Sequence, residues 1–503
     1  MADDERAQPV RRRQQVARAA AAAPRGRLPP CLAEGGAGLD LARLTTAAVS
    51  ILEDVGIACQ LPAALAERCT KAGLLATATS VKFPAERGRE LLALAPRRFT
   101  HVAREPARSL EVSAALSTFG AAMTAAHVWE GAIRRPLRTD DAQRFASIAT
   151  HMPALGYGAS ALHLAARDVS AAARLAGLIQ SSTSPLLAVA GSSIAAHDLV
   201  AAVGGHGDCR LMIAAPVAAC LTFDEPLLEA LMATGTGAQG LIIAPTILIG
   251  ANAPATREGA LVRFAAEAMA GVALAQALTP GQPVAIGGTF ADVSMRNGLP
   301  LVGTADAVAT MGGAIALSRH WQLPFYAFGP ATSSKGFDAL GSAETARWLT
   351  AAWHLGANAI IGAIGAVDLD DGVSIDKLVV DAELAATLSW PAATQSDDPA
   401  AELRRAGAGA TFLGSDATRR LARMPPGIGL SGNQLFESWE AAGSLTLDHH
   451  ISAVLTRTEG HASPLTGDAF AAVAALDRRP MQLTDLASSL YSRAMRDAFG
   501  FGG

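Results

Sequence analysis

From Leu116 onward, short apolar runs alternate with longer stretches in which apolar residues return every three or four positions. An apolar run of four to eight residues followed by an amphipathic helix is the pattern of a parallel βα unit, because a strand covered on both faces carries apolar side chains throughout. The runs are Leu116–Met123, Leu155–Ser160, Leu186–Ala190, Leu211–Ala215, Leu241–Pro245, Val284–Gly288, Phe325–Gly329 and Ala359–Ala363. Eight parallel strands close into a (β/α)8 TIM barrel of the α/β class, and the regular recurrence of the units favours closure over an open doubly wound sheet. Helix starts are marked by Thr139-Asp140-Asp141, Asp224-Glu225-Pro226, Thr256-Arg257-Glu258, Thr304 and Ser374, each supplying an N-cap oxygen or a first-turn carboxylate.

The flanks follow other patterns. Residues 1–40 are rich in Arg, Ala, Pro and Gly without apolar periodicity and are expected to form a disordered tail. Residues 41–112 predict an N-terminal helical cap: a helix over Leu41–Val55 stopping at Gly56, a second over Pro62–Ala72, a short strand Val81-Lys82-Phe83 and a third helix ending at Ala95. The barrel is expected over 113–392. A C-terminal extension, 393–503, holds short helices and a turn at Pro425-Pro426-Gly427, with the character of a lid, a dimer arm or a docking surface.

Composition narrows the function classes. A mean hydropathy of +0.27 raises the question of a membrane, but Arg167, Asp198, Arg210, Glu267 and Asp306 interrupt the longest apolar stretches. Arg11, Arg12 and Arg13 are followed by an Ala-rich stretch broken by Arg18, Pro24 and Arg25, which is no export signal. Five cysteines without a C-x-x-C pair argue against a disulfide framework and for a reducing, cytoplasmic setting. A net charge of −4 provides no basic field for nucleic acid. Cys220 lies near Asp224 and Glu225, but no second Cys or His stands at ligand spacing, so no metal site is expected. A homo-oligomer is the default for a barrel of this kind.

Chemistry in such a barrel sits on the loops after the strands' carboxyl ends. These loops are rich in small residues: Gly191-Ser192-Ser193, Gly287-Gly288-Thr289-Phe290, the run from Gly329 to Gly336, and Gly362-Ala363-Ile364-Gly365. Backbone there can approach a ligand closely. After the seventh strand, Ser333, Ser334 and Lys335 precede Asp338 and Glu344. They could orient a substrate or receive a partner; equally, Asp338 could cap the next helix and Lys335 could pair with Asp338. Aromatic residues make up only 5% of the chain, yet Phe290, Tyr326 and Phe328 fall at or near strand ends. Ring faces attract a diffuse quaternary ammonium by up to about 2 kcal/mol when desolvated, although the same rings also serve ordinary core packing. His163, with Asp168 nearby, is the histidine expected nearest the mouth, whereas His197, His206, His320 and His354 fall on or near outer helices and His449-His450 lies beyond the barrel.

These residues bring out a family resemblance. Thr45–Val55 running into Gly56-Ile57, Pro96-Arg97-Arg98-Phe99-Thr100, Phe119-Gly120, Ala253-Pro254-Ala255-Thr256 with Gly259-Ala260, the Ser334-Lys335, Asp338, Glu344 spacing, Phe412-Leu413-Gly414 and Trp439-Glu440-Ala441-Ala442-Gly443-Ser444 together make the chain resemble the trimethylamine methyltransferase family from about Leu41 to Leu465. The resemblance implies a barrel that presents a methylated amine to the Co(I) of a corrinoid on a cognate partner protein, with no cofactor bound tightly by the barrel itself. Founding members use pyrrolysine for trimethylamine; relatives without it act on quaternary amines, and this sequence has none. A quaternary amine is therefore the expected substrate, with catalytic residues unassigned. The chain departs from the family where Leu340 and Ser342-Ala343 replace a Gln and a Gly-Tyr, and where Ser415-Asp416-Ala417 replaces a His-rich stretch. Two alternatives stand beside this reading: a decayed relative that binds an osmolyte or the corrinoid protein, and a barrel lyase using Lys335 as a Schiff base, which would require that lysine to be desolvated.

Overall fold

A computed structural model describes residues 38–191, 194–203, 207–388, 398, 400–421 and 435–458. The expected tail, Ser192, Ser193, His206, most of the polar stretch after Trp390 and the turn at Pro425 lie outside the described residues.

The cap opens with α1 (Leu41–Asp54), where Asp40 accepts the Arg43 amide as N-cap and Leu44, Ala48, Val49 and Leu52 form the buried stripe. It continues through β1 (Ile57–Cys59), α2 (Ala63–Lys71), β2 (Leu75–Ala76), β3 (Ser80–Lys82) and α3 (Ala85–Ala93) to a hairpin of β4 (Arg98–His101) and β5 (Leu110–Ser113). Then come β6 (Thr118–Ala121), a second hairpin of β7 (His127–Glu130) and β8 (Ile133–Pro136), α4 (Thr139–Thr150), β9 (Leu155–Tyr157), α5 (Ala171–Gln180), β10 (Leu186–Val189), α6 (Ala196–Val203), β11 (Leu211–Val217), β12 (Thr222–Phe223) and α7 (Glu225–Thr236). The chain goes on through β13 (Gly240–Ile249), α8 (Arg257–Leu278), β14 (Val284–Val293), β15 (Pro300–Leu301), α9 (Ala305–His320), β16 (Phe325–Phe328), α10 (Ala339–Leu355), β17 (Ala359–Ile364), β18 (Ala366–Val367), β19 (Gly372–Val373) and α11 (Ile375–Thr387).

The parallel strands pair in the order β10-β11-β13-β14-β16-β17-β6-β9. All the expected runs are thus strands, and they wrap into a nearly closed barrel in which, among the described residues, only β9 and β10 share no ladder. The expected caps hold: Asp224, Thr256, Thr304 and Ser374 each accept an amide of the helix they begin. The cap is more than helical, because β1, β2 and β3 form a small sheet completed by β12 from the barrel.

Alternation divides the barrel's side chains. Leu187, Val189, Met212, Ala214, Ile242, Ala244, Ala285, Tyr326, Phe328, Ala359 and Ile361 point inward and form one cluster. Leu186, Ile213, Ile243, Ile286, Phe325 and Ile360 join the core shared with the helices. Leu110 and Val112 of β5 belong to the inner cluster, and Phe99 of β4 packs against it. Because His101 bridges to Cys209, just before β11, this hairpin plugs the amino-terminal end of the barrel.

The one described helix long and apolar enough to cross a membrane is α8, and 89% of its apolar window is buried inside the fold. It packs against α1 and α3 on one side and β13 on the other.

A buried ion pair ties α11 to its neighbours. Lys377 pairs with Asp381 with both side chains inaccessible, and its Nζ also donates to Thr345 of α10 at 2.7 Å. Asp381 in turn accepts the Gly365 amide at 2.9 Å. Removing one partner strands a charge in the interior. Asp381→Ala is expected to cost about 3–5 kcal/mol of stability, whereas the double replacement Lys377→Met with Asp381→Leu should cost less than the single change. Guanidinium unfolding midpoints of the two variants check this, and equal losses would refute it.

Candidate active site at the barrel mouth

With the amino-terminal end plugged, the interior can open only at the carboxyl ends of the strands. The lower interior is filled by a hydrogen-bonded chain. Tyr157 and Tyr326 share a bond of 2.8 Å between their hydroxyls, Tyr157 meets His101 Nδ1 at 3.2 Å, and the Tyr326 hydroxyl lies 3.7 Å from Met212 Sδ. Burial drives the His101 pKa down to about 4 and both phenols upward, so all three are neutral. One layer higher lies Phe328, whose ring occupies the space left by Gly287; a Cβ on that glycine would stand 2.6 Å from the ring. Above Ala214, Ala244 and Gly287, the alternation brings Pro216, Thr246 and Thr289 inward. These positions carry small side chains, and the same alternation then leads to Leu248, Ala291 and Val293, which with Ala218 form a separate buried cluster at the rim.

The aromatic residues singled out in the sequence do not converge. β14 runs on to Val293, five residues beyond the expected Gly288, and on its continued alternation Phe290 faces outward. Its ring packs 5.7 Å from Phe264 of α8 and 6.3 Å from Phe325. Tyr326 belongs to the lower layer and Phe328 to the interior, so a cage of Phe290, Tyr326 and Phe328 is not what the fold assembles. His163 sits on a 3-10 turn after β9 that folds back under α5, 1% exposed. A Cβ on Gly177 of α5 would come within 2.2 Å of its Nδ1. Among the described residues neither ring nitrogen has a hydrogen-bond partner, and burial lowers its pKa to about 4, so it is a packed neutral ring rather than a group at the mouth.

The loop after β16 behaves differently, because it is held by carboxylates. Glu344, one turn into α10, accepts the Thr332 hydroxyl at 2.7 Å and the Ser333 amide at 2.8 Å, with the Ser333 hydroxyl at 3.3 Å. Asp338 caps α10 by accepting the Gly341 amide at 2.7 Å, and it also accepts the Ser334 hydroxyl at 2.7 Å. Those two donors hold its carboxyl below the usual range. Lys335 pairs with Asp368, not with Asp338, and its side chain is 62% exposed. An exposed, paired lysine lacks the desolvation that Schiff-base chemistry needs.

Asp368 belongs to a group that the sequence reading did not single out. Directly after β18, Asp368, Leu369 and Asp370 take φ values of +54°, +57° and +69°. Three consecutive left-handed residues without a glycine cost of order 1–3 kcal/mol each and persist only where surrounding contacts impose them. Here the Asp368 amide donates to the Ser334 carbonyl at 2.7 Å and the Leu369 amide to the Thr332 carbonyl at 3.0 Å. Asp371 accepts from His127 Nδ1 at 3.0 Å and from Arg134 at 2.6 Å. The β7–β8 hairpin, the loop after β16 and this turn are thereby joined into one wall of the mouth. Asp370 faces the tip of β16, where a Cβ on Gly329 would stand 2.8 Å from its Oδ2. Its Oδ1 is sealed from solvent and, among the described residues, has no hydrogen-bond donor; burial, opposed by Lys377, pushes its pKa up to about 7. The available signal was three aspartates within four residues immediately beyond the last strand.

A family model described as trimethylamine methyltransferase (MTTB) matches residues 5–467. Glycine betaine methyltransferase of Desulfitobacterium hafniense (strain Y51) is 33% identical over 168 residues, 33% of this chain and 35% of that protein. Trimethylamine methyltransferase MttB1 of Methanosarcina mazei is 27% identical over 202 residues, 39% of this chain and 41% of that protein. Proline betaine:corrinoid methyltransferase of Eubacterium limosum is 29% identical over 104 residues, 21% of each chain. The matched stretches therefore span well under half of these relatives. Among solved structures, the Methanosarcina barkeri monomethylamine methyltransferase (MtmB) aligns over 92% of this chain and 87% of its own, with 11% identity and a TM-score of 0.46. On the match of the family model over most of its length, the chain belongs to the trimethylamine methyltransferase family.

Proposed function

We propose that this protein takes a methyl group from a quaternary methylamine and passes it to the Co(I) of a corrinoid held by a partner protein. The observation that carries this reading is a barrel plugged at its amino-terminal end, with Pro216, Thr246, Gly287 and Thr289 on the inward positions toward the other, in a chain of this family. The corrinoid is a co-substrate delivered to the mouth by a second protein, and it supplies the nucleophile. What the barrel contributes is position. A quaternary ammonium already carries a neutral tertiary amine as leaving group: as the carbon–nitrogen bond breaks, its electron pair stays on nitrogen and no proton is required. Holding the methyl in line and excluding water are then the main sources of rate. The carboxylate-clamped loop of Thr332, Ser333 and Ser334 is suited to that work because its backbone is fixed by Glu344 and Asp338 rather than by water. Leu340 and Ala343, where the family commonly places a Gln and a Tyr, favour a substrate other than trimethylamine.

Two measurements test the reading. Purified protein given cob(I)alamin and a panel of betaines and other quaternary amines should methylate the corrinoid, seen as loss of the Co(I) absorbance, with one demethylated amine as product; no transfer from any member of the panel would refute the proposal. Glu344→Ala should release the Ser333 amide, so that hydrogen exchange across residues 329–338 rises at least about tenfold, as loss of a charge-assisted bond worth about 1.5–3 kcal/mol implies. Unchanged exchange would show that the clamp does not hold the loop.

A further inference from the structure

Among the described residues, the carboxylates of the wall formed by the loop after β16, the left-handed turn and α11's ion pair meet donors, except that of Asp370. Asp368 is met by Lys335 and, at 3.8 Å, by Arg134 Nε. Asp371 is met by His127 and Arg134. Asp381 has Lys377, Glu344 has Thr332 and Ser333, and Asp338 has Ser334 and the Gly341 amide. Asp370 has a sealed Oδ1 with no donor, and the cation nearest in effect, Lys377, is already committed to Asp381 and Thr345. Its Oδ2 lies against Gly329, a position where any side chain would collide with it. The carboxyl is thus held against the tip of β16 by a turn that the loop after β16 locks in place.

Resting on the methylamine reading above, we propose that Asp370 is the specificity residue that selects a cationic over a neutral ligand, by facing the positive nitrogen of the substrate. A quaternary ammonium cannot donate a conventional hydrogen bond, so a carboxylate without donors loses least when it meets one. The unmatched oxygen is the source of the selectivity: Asp370 is part-exposed with its Oδ1 enclosed, so a cation can reach the carboxyl and offset its charge, and an uncharged molecule of the same shape leaves it as it was. Binding a cation also favours the ionised carboxyl, so the preference should weaken as pH falls through about 7. The groups that face this region from neighbouring elements are Lys377 of α11, Lys335 of the loop after β16, and His127 and Arg134 of the β7–β8 hairpin, with Asp368 and Asp371 on the turn itself.

The test uses the full chain and two probes of one shape: choline, and its carbon isostere in which a tert-butyl group replaces the trimethylammonium. Calorimetric titration should show that wild type prefers choline, and that Asp370→Asn weakens choline binding roughly tenfold or more while leaving the isostere unchanged. In wild type, choline affinity should fall with pH through about 7 and isostere affinity should not; this arm stands whether or not the variant folds. Absence of a preference for choline in wild type, or an unchanged ratio in Asp370→Asn, overturns the assignment. Methyl transfer by wild type, measured in parallel, separates the two readings: transfer with an unchanged ratio sinks the role of Asp370 alone, and an Asp370-dependent preference without transfer sinks the methyltransferase reading alone.

Discussion

The barrel's polarity of use follows from how it satisfies polar groups in its own floor. Two phenols and an imidazole lie in an apolar interior, where each hydroxyl or ring nitrogen left alone would cost free energy. They solve this among themselves, His101 to Tyr157 to Tyr326, with His101 Nε2 placed 3.2 Å from the Arg210 carbonyl. The chain of bonds spans three separate segments: the β4–β5 plug, β9 and β16. It therefore fastens the plug to the barrel as well as filling it. Once the amino-terminal end is closed in this way, the only interior positions free to remain small are those toward the carboxyl ends, and it is there that Ala214, Pro216, Ala244, Thr246, Gly287 and Thr289 stand.

At the opposite end the governing interaction changes from neutral hydroxyls to carboxylates. Glu344 and Asp338 reach back from α10 to hold the loop that precedes it, in the manner of an extended N-cap. The amides of Asp368 and Leu369 then bond to carbonyls of that same loop. Neither segment has a regular ladder of its own, so each supplies the other's backbone partners. A left-handed turn of three non-glycine residues becomes tolerable because the alternative would leave those carbonyls and amides unpaired near the core.

The contrast between what was and was not legible in the sequence has a simple physical origin. Strands covered on both faces must be apolar throughout, so each barrel strand stood out as a run, and N-cap side chains marked the helix starts because an oxygen is needed there. Direction across a strand was harder to read. Phe290 looked like a residue following a strand that ends at Gly288; β14 instead reaches Val293, and alternation along the extra residues turns the ring toward Phe264. Likewise the strand expected to reach Ser160 stops at Tyr157, and the 3-10 turn that replaces its end carries His163 under α5. In the loop after β16 the cap role of Asp338 was readable from its position before the helix. The partner of Lys335 was not, because Asp368 is distant in sequence and meets it only through a backbone conformation that no local residue preference announces.

That conformation and the unmatched carboxyl of Asp370 have to be considered together. A left-handed turn stores backbone strain, and a sealed carboxylate oxygen without a donor stores electrostatic free energy. Either could relax if the turn rotated Asp370 toward water. It does not, because Asp368 and Asp371 are pinned on both sides by Lys335, Arg134 and His127, and the amides of Asp368 and Leu369 are pinned by the carbonyls of Ser334 and Thr332. The clamps that give the mouth its rigid wall are thus the same contacts that prevent the misfit from relaxing. A looser wall would open the enclosed Oδ1 of Asp370 to solvent and relax the misfit, so the rigidity of this wall and the persistence of the unmatched oxygen are one property of the same network.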